Sequence, residues 1–178
     1  MKKISHRVIT GSLMLAMQSR PEAVIGAVVG SMMPDIDIKL GIAHRTWTHW
    51  WPMYAVPMFV ITSMEHENAF RTYMGQEVST LLFWMCVGAL LHLLEDSLTV
   101  MGIPMITPVP ATEVNGVPWL TRKRRFSLGI THTGGILEYL IMVIVLVVAV
   151  VVIKQNPAYQ NELMAWPKKT GFGKTHWR

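Results

Sequence analysis

Apolar residues fall into five stretches separated by polar breaks. Val8–Met17 and Ala23–Met33 are each shorter than the roughly 20 residues a bilayer span needs, and Gln18-Ser19-Arg20-Pro21-Glu22 interrupts the chain between them. This pattern predicts two helices that either fold back as a hairpin or form one interrupted span. Trp47–Met64 is the third stretch, with Pro52 and Pro57 inside it. Its start, with Trp47, Trp50 and Trp51, fits an interfacial aromatic belt. Val78–Leu94 has no formal charge unless His92 is protonated, and Gly134–Ile153 is interrupted only by Glu138. The reading is an all-α, multi-pass helical membrane protein: three full spans with an N-terminal helical hairpin, or four spans. Residues 1–153 form the integral-membrane domain, and 154–178 form a polar C-terminal tail expected to be loosely ordered. Within the second stretch, Gly26-Ala27-Val28-Val29-Gly30 is a small-xxx-small pattern that lets another helix approach closely.

Composition narrows the class further. The 178 residues suit one domain, and 51% are hydrophobic against 15% charged, where a soluble domain carries about 25% charged. Mean hydropathy is +0.35. These values argue against a soluble enzyme, a disordered chain and a nucleic-acid-binding module. The net charge of +5 does not reverse that, because the basic residues are scattered between apolar runs, where membrane-flanking charges sit. The one cysteine, Cys86, precludes an intrachain disulfide and reads as a small buried hydrophobe. The fourteen methionines read as core or lipid-facing filler. No small-residue cleavage site precedes Pro21, so no cleaved signal peptide is expected.

Topology collects the unusual residues. If the stretches beginning at Trp47 and Val78 pair antiparallel, residues 34–50 and 92–128 lie on one membrane face. That face then holds Asp35, Asp37, His44, His49, His92 and Asp96, and a hairpin at the start adds His6. Of the sixteen Lys and Arg residues, nine (Lys2, Lys3, Arg7, Lys39, Arg45, Arg122, Lys123, Arg124 and Arg125) fall there, which makes the face cytoplasmic.

His92 and Asp96 are four apart and point the same way on a helix. An ionisable group at membrane depth costs roughly 2.5–3.5 kcal/mol, which makes it a functional candidate; the plain alternative is a structural hydrogen-bonded pair. Asp35 and Asp37 repel unless a cation or basic group lies between them; alone they read as a solvated turn or helix cap. His44 and His49 are five apart, about 140° on an ideal helix, so one of them precedes the helix. Together, four histidines and three aspartates converge, and imidazole nitrogen with carboxylate oxygen is the donor mix of zinc, iron or manganese sites. Seven donors exceed what one tetrahedral ion needs. Two ions about 3.5–4 Å apart would use them, one to activate water and one to grip substrate. Thr48 and Thr99 are expected to orient ligands by hydrogen bonding.

Ser5-His6-Arg7, Gly30-x-x-x-Pro34-Asp35-x-Asp37, His44-Arg45-Thr46-x-Thr48-His49 and His92-x-x-x-Asp96-x-x-Thr99-x-x-Gly102 resemble the signature of the YdjM-type inner-membrane metal-dependent hydrolases. The likeness extends to about Glu138, with Pro108 and Arg125-Phe126-Ser127-Leu128 also fitting. The resemblance implies a bacterial multi-pass inner-membrane protein and metal-binding roles for His6, Asp35, Asp37, His44, His49, His92 and Asp96, with Arg45 beside Thr48 and Thr99 supporting them. It also implies a metal-dependent hydrolase; from the donor set, the expected cofactor is one or two divalent ions, zinc or else manganese or iron. His-x-x-x-Asp is similar to a piece of the zinc-dependent phospholipases C, whose further histidines this chain lacks.

Glu138 reads first as a hydrogen-bonded or protonated group and second as a general acid or base at the site's edge. Thr131-His132-Thr133 reads as interfacial and His66 as solvated; Arg122–Arg125 reads as a topology determinant or a seat for anionic headgroups. Gly171-Phe172-Gly173-Lys174-Thr175 fails as a phosphate-binding loop, because Lys168 stands where the first glycine belongs. The expected reaction is hydrolysis of an ester or phosphoester of a lipid-like amphiphile in the bilayer. The rivals are a divalent-metal transporter or sensor, and a membrane scaffold with a structural metal.

Overall fold

Apolar stretches become helices and polar breaks become turns in the computed structural model, which describes residues 1–41, 44–66, 76–105, 108 and 125–169. Arg122, Lys123, Arg124 and the Gly171–Thr175 segment lie outside the described residues, as does the side chain of His66. Helices α1 (Lys3–Ala16) and α2 (Pro21–Gly30) pack as the expected hairpin. Pro21 takes the first position of α2, where its missing N–H would have had no partner. A short α3 (Ile36–Leu40) stops at Gly41, whose φ of +68° closes the helix end. A 3-10 turn (Trp47–His49) leads into α4 (Pro52–His66). Next come α5 (Gln76–Ser97) and the two short strands β1 (Ile103–Pro104) and β2 (Arg125–Phe126), paired antiparallel with Ile103 opposite Phe126. The chain continues into α6 (Ile136–Gln155) and α7 (Pro157–Lys169).

Among the described residues, two helices are long and apolar enough to cross a membrane: Val78–Ser97 of α5, and α6. Twenty residues at 1.5 Å each give about 30 Å, the thickness of the hydrocarbon core. Along α6, Leu140, Ile144, Val147 and Val151 stay exposed, and only Glu138 and Ala149 are buried. An apolar surface of that extent belongs against lipid rather than water.

The third stretch departs from expectation. Its helix is 15 residues long, about 22 Å, because the 3-10 turn that carries His49 uses up the tryptophan-rich start. Trp47 and Trp51 remain exposed at that end. The tail also differs: α7 is a helix, not a loose segment. Asn156 Oδ1 accepts the Tyr159 amide at 3.1 Å and caps it, and Pro157 begins it. Tyr159 Oη donates to the Ser19 carbonyl at 2.6 Å, docking α7 on the α1–α2 turn.

Helices α2 and α5 cross with their backbones in contact. A Cβ on Gly30 would land on the Met85 carbonyl, and one on Gly88 would land on the Ala27 carbonyl. The small-residue pattern at Gly26–Gly30 therefore marks a backbone-to-backbone contact. On the other side of α5, Tyr54 of α4 packs with Ala89, Leu93 and Ile103, with Cys86 against them. The start of α1, the end of α2, the start of α4, the end of α5 and the start of α6 meet at one end of the bundle, and the α1–α2 turn and α7 sit at the other.

Candidate metal centre

The helix crossing sets the first ligand. It brings the Ser31 carbonyl to 2.7 Å from His92 Nδ1. A carbonyl can only accept, so Nδ1 carries the proton and, in the neutral imidazole, the Nε2 lone pair faces the opposite way. His49 is fixed by equivalent logic. Thr48 Oγ1 donates its single proton to Asp37 Oδ2 at 2.7 Å and lies 3.1 Å from His49 Nδ1. The threonine oxygen must therefore accept from His49 Nδ1–H, with Asp37 Oδ2 a further 3.4 Å from the same nitrogen. Both Nε2 atoms are buried and have no hydrogen-bond partner.

Those two lone pairs meet two carboxylates. His49 Nε2 lies 3.5 Å from Asp96 Oδ2 and 3.8 Å from Asp35 Oδ1, and His92 Nε2 lies 3.7 Å and 3.8 Å from the same two oxygens. Lone pairs and carboxylate oxygens repel one another, so a cation or shared proton between them is the stable arrangement. Donors bound at about 2.0–2.2 Å to one ion lie a little over 3 Å apart, so the set fits a divalent metal after a small contraction. Asp35, His49 and His92 form one such group and His6, His92 and Asp96 an adjoining one.

Asp96 divides its oxygens. Oδ2 faces the imidazoles, while Oδ1 accepts from Arg45 at 3.0 Å and from the Met1 amine at 2.7 Å, with His6 Nε2 at 3.4 Å. Arg45 also donates to Thr99 Oγ1 and the Gly102 carbonyl, and its backbone sits at φ +61°. A non-glycine residue held there is characteristic of functional sites. His6 stacks on His92, with ring centroids 3.7 Å apart, and its Nδ1 pairs with Glu95 Oε2 at 2.7 Å.

Asp37, His44 and His49 make a third group, on the Nδ1 side of His49. His44 Nδ1 is 3.0 Å from Asp37 Oδ1 and its side chain is 40% exposed. Asp37 and His44 thus stand behind His49 rather than beside its free nitrogen. Burial works against the ionised Asp37 carboxylate, but Thr48 and His44 outweigh it and hold its pKa below the ordinary value. Burial lowers the His49 pKa, favouring the neutral imidazole a metal requires.

All seven sequence-derived ligand candidates lie at this end; Arg45 contacts Asp96, Thr48 contacts Asp37 and His49, and Thr99 Oγ1 donates to the Asp96 carbonyl. Glu95 and the Ser31 carbonyl were not foreseen. His6 and Thr10, one turn apart on the buried face of α1, both contact Glu95, and that pair of polar positions was the available signal. Glu138 has a different setting. Its carboxylate accepts from Ser5 Oγ, the Lys2 amide and the Gly134 amide, tying α1 to α6. Thr131 is buried in a bridge to Thr99, and Arg125 donates to the Met101 carbonyl.

Two outcomes follow. Thr48→Val leaves His49 Nδ1–H without its acceptor and is expected to weaken metal affinity about 10–100-fold, as loss of such outer partners does, read by competition with a chelating dye. Glu138→Leu strands three donors, each costing about 1–3 kcal/mol. It is expected to lower the melting temperature while leaving the metal-to-protein ratio unchanged.

Lipid-facing helices with a buried imidazole–carboxylate cluster at one end define a helical membrane protein with a candidate divalent-metal site. The family model described as YdjM inner membrane protein matches residues 1–158, and the chain belongs to that family. The match takes in every helix that contributes to the cluster and places the chain among inner membrane proteins. No curated protein and no solved structure matches it.

Proposed function

We propose that the protein is a multi-pass, membrane-embedded metal-dependent hydrolase acting on an ester or phosphoester of an amphiphile. The observation that carries the reading is the pair of buried, unpartnered Nε2 atoms facing two carboxylates at one end of the bundle. In this reading His49, His92, Asp35 and Asp96 hold the ion and His6 adjoins it. Two imidazoles and two carboxylates suit zinc and equally manganese or iron, which take further ligands and leave positions open. A bound divalent ion supplies Lewis acidity toward water and toward the ester oxygen. The protein's own groups do the positioning. The Ser31 carbonyl and the Thr48–Asp37 pair aim the imidazoles, and Arg45 balances Asp96. In the overall reaction water adds to the phosphorus or carbonyl carbon, the ester bond to the alcohol breaks, and the alcohol leaves with a proton.

Placement favours this reading over transport: His92 and Asp96 fall in the last two turns of Val78–Ser97, toward one end of that helix, whereas transport sites lie near the midplane. A structural site is closed, whereas Asp35 keeps 12% of its side chain exposed beside a cleft. Lys2, Lys3, Arg7 and Lys39 are exposed at the same end, which supports a cytoplasmic orientation; Arg45 is consumed by the cluster and does not count toward it. The test is hydrolysis of phospholipid in mixed micelles by detergent-purified protein. The activity should vanish in His92→Ala and Asp96→Ala. Equal turnover in those variants, or none in the metal-loaded wild type, overturns the proposal, and metal uptake into proteoliposomes would favour transport instead.

A further inference from the structure

A cleft of about 220 Å³ opens between α1 and the α2–α3 connection. Lys3 and Arg7, four apart on α1 and therefore on one face, line one wall, and Lys39 of α3 lines another. All three are exposed, and none makes an ion pair among the described residues. Three like charges around one small cleft repel unless an anion joins them. The remaining wall is apolar: Val29, Met32, Met33 and Ile36 are each between 38% and 48% exposed. The cleft also shares two residues with the metal centre. Asp35 contributes a mostly buried carboxylate, and Ser31 is the residue whose carbonyl orients His92.

We infer that this cleft seats the headgroup of an anionic, phosphate-bearing lipid drawn from the bilayer, and this inference rests on the hydrolase reading for its placement beside the metal. The cations supply charge-assisted donors for a phosphate, with Arg7 able to engage two oxygens at once. The apolar wall receives the first carbons of the chains. A zwitterionic headgroup is poorly matched, because Asp35 is the one carboxylate in the lining and it faces the imidazoles. A soluble phosphate compound would leave the four apolar side chains uncovered.

The experiment is calorimetric titration of the full chain in dodecylmaltoside with dihexanoyl phosphatidic acid, dihexanoylglycerol and inorganic phosphate. Wild type should bind the phosphatidic acid, with the neutral diacylglycerol and free phosphate each weaker by about tenfold or more. Lys3→Ala/Arg7→Ala/Lys39→Ala should lose about tenfold or more in affinity for the phosphatidic acid, in keeping with the pull of each basic residue on an anionic headgroup. Its metal content and melting temperature should stay at wild-type values. Lys3→Arg/Lys39→Arg keeps the charge and should keep binding, which guards against a folding artefact. Equal binding by the alanine variant overturns the inference, and free phosphate binding as tightly as the lipid overturns its lipid half. Phosphatidic acid binding that depends on the three cations, with no lipid ester hydrolysed by the metal-loaded protein, would overturn the hydrolase reading and leave the cleft assignment standing.

Discussion

His49→Ala/His92→Ala is expected to leave the purified protein with less than roughly a tenth of the divalent ion that wild type retains, because each change removes a donor atom rather than an outer partner, whose loss alone costs about 10–100-fold. Each histidine brings a lone pair already aimed by a hydrogen bond at Nδ1, so no reorganisation is needed when the ion arrives. Alanine removes the lone pair and leaves Asp35 and Asp96 facing each other's charge across the vacated space. His44→Ala is the informative contrast. His44 is partly exposed and reaches Asp37 rather than the free nitrogens, so this variant should keep most of its metal. Elemental analysis of detergent-purified protein reads all three samples, and circular dichroism shows whether the helices persist. A metal ratio unchanged in the double variant would end the case for this centre.

The convergence of the ligand candidates was legible because it depends on topology alone. Helix starts and ends alternate between the two ends of a bundle, so residues flanking Trp47–Met64 and Val78–Leu94 had to meet. Aspects that depend on geometry were not legible. The roles of Asp37 and His44 could not be separated from that of Asp35 by spacing, since it is the ring orientation of His49 that puts them on its Nδ1 side. Glu95 was overlooked because it adjoins Asp96 at a helix end, where acidic pairs are usually solvated; about 100° around the helix, it faces α1 instead. The Ser31 carbonyl leaves no trace in side-chain chemistry. The shortened third stretch was hidden because apolar composition is the same whether Trp47–Trp51 begins a helix or forms a turn. Helix α7, in contrast, carried a readable start signal in Asn156-Pro157, which the polar composition of the tail obscured.

Gly88→Val should produce the largest loss of stability of any single change in the helical core, and should lose metal binding with it. The Gly88 Cα sits under the Ala27 carbonyl, and the Gly30 Cα sits under the Met85 carbonyl, so the two helices touch at both points through backbone alone. Overpacking a core normally costs about 1–3 kcal/mol because neighbouring side chains can yield. Here the obstructing atoms are backbone of a helix that is itself packed, so relief requires α2 and α5 to separate. Separation draws the Ser31 carbonyl away from His92 Nδ1, 2.7 Å distant, and frees the imidazole to turn. The stability loss and the metal loss therefore share one cause, and they should appear together in a thermal melt and an elemental analysis of the same sample. Gly11→Ala is the control: a Cβ there meets only the Val28 Cγ2 methyl at 3.1 Å, which can rotate aside, so both readouts should stay close to wild type. If Gly88→Val melted with wild-type cooperativity and kept its metal, the two helices would not be in backbone contact, and the orientation of His92 would need another source.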